Sequence, residues 1–290
     1  MSQRLKIAFV VTLVLVNVGL VFLVNEKMAD SEAKAAKATP IVTPTTSPTP
    51  QPEPTGTPGG PQSLVIADDD AIFRIHGGSC DGKDVAGITV STDDGATFDD
   101  VGLPEDMNAV FMVTAKDADT LDLVAAAQNC EPQRFVSTDG GEAWEAAEGA
   151  DVWFLGPRER VTAPVGVVEP GCTETLTLSA PNPDTARVFC ASGVLIGTTD
   201  AGESWARLGS LDGVKAAAYA TGRRGFALAP DGGCATGSYV TDDAGRTWTA
   251  AGCLDAAPGR ALAANGNLVA AIAGDAVYLS EDSGRTWTRA

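Results

Sequence analysis

TDDAGRTW (Thr241–Trp248) and SEDSGRTW (Ser280–Trp287) are two copies of one octapeptide, and three more precede them: STDDGATF (Ser91–Phe98), STDGGEAW (Ser137–Trp144) and TTDAGESW (Thr198–Trp205). Each reads Ser/Thr-x-Asp-x-Gly-x-(Thr/Ser/Ala)-(Trp/Phe), and the starts lie 46, 61, 43 and 39 residues apart. A period near 40 residues is that of propeller blades. Physically the octapeptide is a turn between two strands. Asp93, Asp139, Asp200, Asp243 and Asp282 can accept hydrogen bonds from the amides of their own turns. Gly95, Gly141, Gly202, Gly245 and Gly284 supply positive φ. Phe98, Trp144, Trp205, Trp248 and Trp287 then wedge each sheet against its neighbour.

These five copies resemble the Asp-box, or BNR, repeat of sialidases, sortilin-type receptors and photosystem II assembly factors. In those families the box is a structural turn on the face away from the ligand site. The resemblance therefore implies a β-propeller strongly and an activity weakly.

Outward from the repeats, the chain begins differently. Arg4 and Lys6 precede an apolar run, Ile7 to Val24, broken only by Thr12, Asn17 and Gly19. Eighteen residues suffice for a short membrane span, and the run ends in Asn25-Glu26-Lys27 without a small-residue cleavage site. Residues 1–25 read as a cytoplasmic stub and signal anchor in preference to a cleaved signal, with everything after Val24 outside the cell membrane. The alternative is a secreted protein. Residues 26–62 are rich in Ala, Thr, Pro and Ser, with TPIVTPTTSPTPQPEPTGTPGGPQ as their core. Such a composition buries no apolar surface and reads as a disordered stalk, able to span about 110 Å in polyproline geometry.

Residues 63–290 form the propeller domain and are long enough for a sizeable core. Five basic and four acidic residues lie before it, leaving 15 basic against 34 acidic within it, a net charge of −19. Nucleic acid and anionic lipid surfaces are excluded as partners by like charge. The membrane is met only through the N-terminal helix, and a monomer is expected.

Short apolar runs around each box give four strands per repeat. In the second they are Val110 to Thr114, Leu121 to Ala127, Arg134 to Ser137 and Trp144 onward. The expected fold is an all-β, five-bladed β-propeller, with six blades the alternative because of the 61-residue interval. With strands named A to D from the axis outward, A–B turns and boxes share one face, and B–C and D–A loops share the other. All six cysteines fall on that second face or beside it, and an even count in an exported domain implies disulfides. Topology pairs Cys172 with Cys190 and Cys234 with Cys253 inside blades, and Cys80 with Cys130 across neighbours.

The surplus of the long interval, residues 151–171, reads as an enlarged D–A loop on the cysteine-bearing face. Its Trp153, Phe154, Arg158 and Arg160 make it a candidate anchor for a partner or an acidic sugar. Sialidases, as the resemblance implies, hold a carboxylate with three Arg, the first in Phe-Arg-Ile-Pro, and attack with a Tyr paired to a Glu. Phe73-Arg74-Ile75-His76 matches three of those four positions, so Arg74 joins the candidate ligand-binding set. His76 replaces the Pro, and of three tyrosines Tyr239 and Tyr278 sit at equivalent repeat positions, which leaves Tyr219. His76 is the only histidine and no CxxC occurs, so no metal site is expected; Asp68 to Asp70 lack the alternating spacing of a calcium loop. No cofactor is called for. The reading is a non-catalytic binding or assembly module for an envelope protein or cell-surface glycan, with a sialidase-like glycoside hydrolase as the alternative.

Overall fold

The computed structural model describes residues 63–149, 152–256, 258–274 and 276–290. The anchor and stalk segments lie outside the described residues, and no helix among those described is long and apolar enough to cross a membrane. All described sheets are antiparallel and their strands follow chain order. The first blade holds β1 (Ser63–Ile66), β2 (Ile72–His76), β3 (Gly87–Ser91) and β4 (Asp99–Val101). The second holds β5 (Ala109–Ala115), β6 (Leu121–Ala126), β7 (Gln133–Ser137) and β8 (Glu145–Ala147). The third has three strands, β9 (Phe154–Leu155), β10 (Val161–Ala163) and β11 (Gly166–Val168). The fourth holds β12 (Thr175–Asn182), β13 (Thr185–Cys190), β14 (Val194–Thr198) and β15 (Ala206–Ser210). The fifth holds β16 (Ala216–Tyr219), β17 (Gly225–Asp231), β18 (Cys234–Thr241) and β19 (Thr249–Leu254). The sixth holds β20 (Gly259–Asn265), β21 (Leu268–Ala273), β22 (Ala276–Ser280) and β23 (Thr288–Arg289).

The propeller thus has six blades, and the expected count of five is corrected. The residues read as an enlarged loop are a blade of their own. Its strands are only two and three residues long and carry no box, so nothing repetitive marks them in the chain. The turn between β9 and β10 repeats a bond seen elsewhere. The Gly156 amide donates to Arg160 O at 2.8 Å, as Ala67 does to Ala71 O at 2.9 Å and Lys116 to Thr120 O at 3.0 Å in the A–B turns of the first two blades. That equivalence makes β9 the inner strand of its blade and puts Arg158 and Arg160 on the box face, opposite to the face expected of them.

Burial is high in the second strands and low at the outer rim. The second strands β13 and β21 are buried almost throughout, whereas the outermost β4, β8 and β23 are largely exposed. Strands covered on both faces need continuous apolar runs, and the inner strands β16 and β20 are built mostly of Ala, Ala216 to Ala218 and Ala261, Ala263, Ala264.

The boxes hold the ring together. In all five, the hydroxyl of Ser91, Ser137, Thr198, Thr241 or Ser280 donates to its Asp Oδ1 at 2.5–2.8 Å and accepts the Gly amide at 2.8–3.2 Å. The same Asp Oδ1 takes the amide of Thr97, Ala143, Ser204, Thr247 or Thr286 at 2.9–3.0 Å. The residue ahead of each Gly also has positive φ, as Asp94, Gly140, Ala201, Ala244 and Ser283 show. Each half-buried aromatic then joins a cluster shared with the preceding blade: Trp144 also donates to Gly102 O at 2.9 Å, and Trp205 meets Trp153 edge to face at 5.8 Å. Such a ring pair contributes about 0.5–1.5 kcal/mol beyond burial.

The three disulfides are Cys80–Cys130, Cys172–Cys190 and Cys234–Cys253, as topology led one to expect.

Candidate functional site

The inner strands β1, β5, β9, β12, β16 and β20 surround a channel of about 400 Å³. The side chains that line it are apolar apart from a few hydroxyls and two cations, Lys215 and Arg260, and include no carboxylate. In a domain with 34 acidic residues that exclusion is the electrostatic fact of the molecule. Lys215 immediately precedes β16, and Arg260 stands at a register shift near the start of β20, so both guard the channel end next to the D–A loops. Both are exposed and neither is in an ion pair among the described residues. Phe111, Phe154 and Leu176 line the channel toward the same end, with Phe111 and Phe154 stacked at 6.3 Å and Leu176 37 % exposed. A mouth with cations on one arc and aromatic and aliphatic groups on another is suited to an anion attached to an apolar body. Low-dielectric walls focus the field of the two cations into the channel.

The residues singled out from the sequence are dispersed. Trp153 is buried at the junction of the third and fourth blades, where its indole N–H donates to Pro183 O at 2.8 Å. Phe154 reaches the channel. Arg158 lies in the short 3-10 turn Pro157–Glu159, with its side chain outside what is described, and Arg160 follows it, exposed. Arg74 turns away from the channel and lays its guanidinium over the Phe98 ring at 4.7 Å. His76 Nε2 lies 2.8 Å from Asp84 Oδ1.

Nor are the sialidase-type groups brought together. Tyr219 is buried between the fourth and fifth blades, with the Arg187 guanidinium 5.8 Å from its ring, and burial pushes its hydroxyl above the ordinary phenol range. Its oxygen has no hydrogen-bond partner among the described residues, so no Glu activates it there. Arg187 spends its own donors on the carbonyls of Ala186, Thr198 and Gly222 at 2.6–2.9 Å, and desolvation lowers its pKa. Asp69 ties two A–B turns together, accepting the amides of Ala71 at 3.2 Å and Ala118 at 3.1 Å. Among the described residues no group of three or more His, Cys, Asp or Glu side chains clusters as a metal site.

Lys215 and Arg260 went unnoticed in the sequence because they stand alone in separate repeats. The signal was positional: each opens an inner strand of small residues, Lys-Ala-Ala-Ala and Arg-Ala-Leu-Ala, in consecutive repeats.

No family model and no curated protein matches the chain. Solved structures do match. A mutant Aleuria aurantia lectin in complex with Fucalpha1-6GlcNAc is 10 % identical over 81 % of this chain and 94 % of that one, with a TM-score of 0.50. The Hadza microbial sialidase Hz136 is 14 % identical over 80 % and 65 %, with a TM-score of 0.48. YCF48 bound to D1 peptide is 14 % identical over 83 % and 74 %, with a TM-score of 0.32. At these identities the likeness concerns the propeller fold alone.

Proposed function

We propose that this chain is a non-catalytic binding propeller, held outside the cell membrane by its N-terminal segment, which takes an anionic group of an envelope protein or cell-surface glycan into its channel mouth. The observation that carries the reading is the pair Lys215 and Arg260 in a wall free of carboxylates, inside a domain of net charge −19. Exposed cations elsewhere, Arg160 and Arg207 among them, stand on the acidic outer surface, whereas Lys215 and Arg260 face a channel wall without a carboxylate, where an anion meets no like charge on the lining. The apolar arc of Phe111, Phe154 and Leu176 supplies area for the body that bears the anion.

The test is binding of the full chain to immobilised acidic glycans and to envelope peptides with a free carboxylate, read by surface plasmon resonance. Replacing Lys215 and Arg260 together by Ala should weaken binding at least tenfold and flatten its salt dependence. Arg160→Ala, on the opposite face, should leave it unchanged. Binding indifferent to the double replacement would remove the channel mouth from the function.

A further inference from the structure

At five of the six blade junctions a box closes the gap. The built position of a Cβ on each box glycine identifies what it meets across the junction: Ala290 for Gly95, Val101 for Gly141, Ala163 and Trp153 for Gly202, Leu195 for Gly245 and Ser238 for Gly284. The junction between the second and third blades has no box, because the third blade stops at its third strand. Register identifies what is left open there. In the first blade the row Ile75–Ile88–Val101 is covered by the next blade's box. The matching row in the second blade is Val124–Arg134–Ala147. Over that row lies a groove of about 410 Å³, bordered by Gly149 and Val152 of the connection between the blades and by Phe154 and Thr162 of the third blade.

Two things are therefore missing from one place. Among the described residues the strand β11 is paired on one side only, with Val167 on it 59 % exposed, and the groove holds no box aromatic, Phe154 of β9 being the one aromatic ring on its border. In the five other blades a single segment supplies both, an aromatic residue leading straight into the fourth strand, as Trp248 leads into β19.

We propose that an extended segment of a partner polypeptide, an aromatic residue followed by a strand, docks here: its strand adds to the free edge of β11 and its aromatic ring fills the groove. Strand addition satisfies the edge's backbone groups, while the groove selects the side chain. Charge narrows the partner further. Glu145 and Glu148 are exposed on and just after β8 beside the groove, so the segment carries a basic residue near its aromatic, as the last two boxes do with Arg246 and Arg285 two residues before Trp248 and Trp287. This site shares Phe154 with the channel wall but neither Lys215 nor Arg260, and its occupant is of the opposite charge.

The probe is a fluorescently labelled peptide of the chain's own sequence SEDSGRTWTRA, titrated against the full chain by anisotropy. Saturable binding is expected, weakened at least tenfold in Ala147→Trp and in Thr162→Phe, either of which fills the groove, and lost when the peptide's Trp becomes Ala. Amide exchange over 166–168 should slow on binding. The Lys215→Ala, Arg260→Ala double variant should bind the peptide as the unaltered chain does. Two groove-filling positions keep the test alive should one variant fail to fold. No saturable binding, or binding that both filling variants leave intact, overturns the proposal.

Discussion

Gly245 of the fifth blade and Leu195 of the fourth face each other so closely that a Cβ on the glycine would stand 2.0 Å from Leu195 Cδ2, with the Tyr219 hydroxyl oxygen at 2.5 Å. Its φ of +86° adds strain for any other residue. Gly245→Ala should therefore lower stability by about 3 kcal/mol or more, since overpacking and backbone strain act together. Gly266, at φ +58° in the turn between β20 and β21, meets nothing within 4 Å and serves as the control. Gly266→Ala should cost about 1 kcal/mol. Urea midpoints of the two variants give the comparison, and equal losses would contradict the wedge role of the box.

Acid should loosen the boxes in concert. The turn amides and hydroxyls around Asp200, Asp243 and Asp282 hold their carboxyls at about 2, and Asp93 and Asp139 are lowered by the same partners. A carboxylate held below its unfolded value near 4 favours the folded state while it is ionised. The contribution is complete above about pH 4 and is lost as pH falls toward 2. Asp81, held at about 2 by Lys83 and Ser79, titrates in the same window. Denaturation midpoints measured between pH 5 and 2 should fall through this interval, and Asp243→Asn should make the fall shallower. A midpoint flat down to pH 2 would count against the hydrogen bonds described.

The disulfides should differ in weight. Cys80–Cys130 joins the first two blades across 50 residues, whereas the others close 18 and 19. Chain entropy assigns about 4 kcal/mol to the long loop and about 3 kcal/mol to each short one. Replacing both Cys80 and Cys130 by Ser should thus lower the melting temperature more than replacing Cys172 and Cys190. The reverse order would show that local geometry, not loop length, governs their effect.

Five blades were legible in the chain because each carries an octapeptide whose Asp, Gly and aromatic each have a separate physical task. The sixth was not. Phe154–Leu155, Val161–Ala163 and Gly166–Val168 are too short for alternation to register, and Pro157 with Glu159 between them reads as loop. The disulfides could be paired in advance because strand order alone sorts loops onto faces. Candidate site residues fared differently, since Trp153 and Arg74 are aromatic and cationic for packing, one against Trp205 and the other over Phe98. Lys215 and Arg260 have no local context to distinguish them; only closure of the ring brings two inner strands of consecutive blades side by side.

Tyr219 separates a binding propeller from a hydrolase. Its hydroxyl is buried with no partner among the described residues, an arrangement that costs folding free energy without return. Tyr219→Phe removes the unpaired oxygen and keeps the ring beside Trp248, 6.3 Å away, and under Arg187. The variant should gain about 1 kcal/mol of stability, visible as a higher melting temperature, and retain its ligand. A catalytic Tyr of sialidase type would behave otherwise, because its oxygen is the attacking atom. The decisive measurement sets the full chain and Tyr219→Phe side by side on a fluorogenic sialoside. If the chain cleaves it and the variant does not, the binding reading falls.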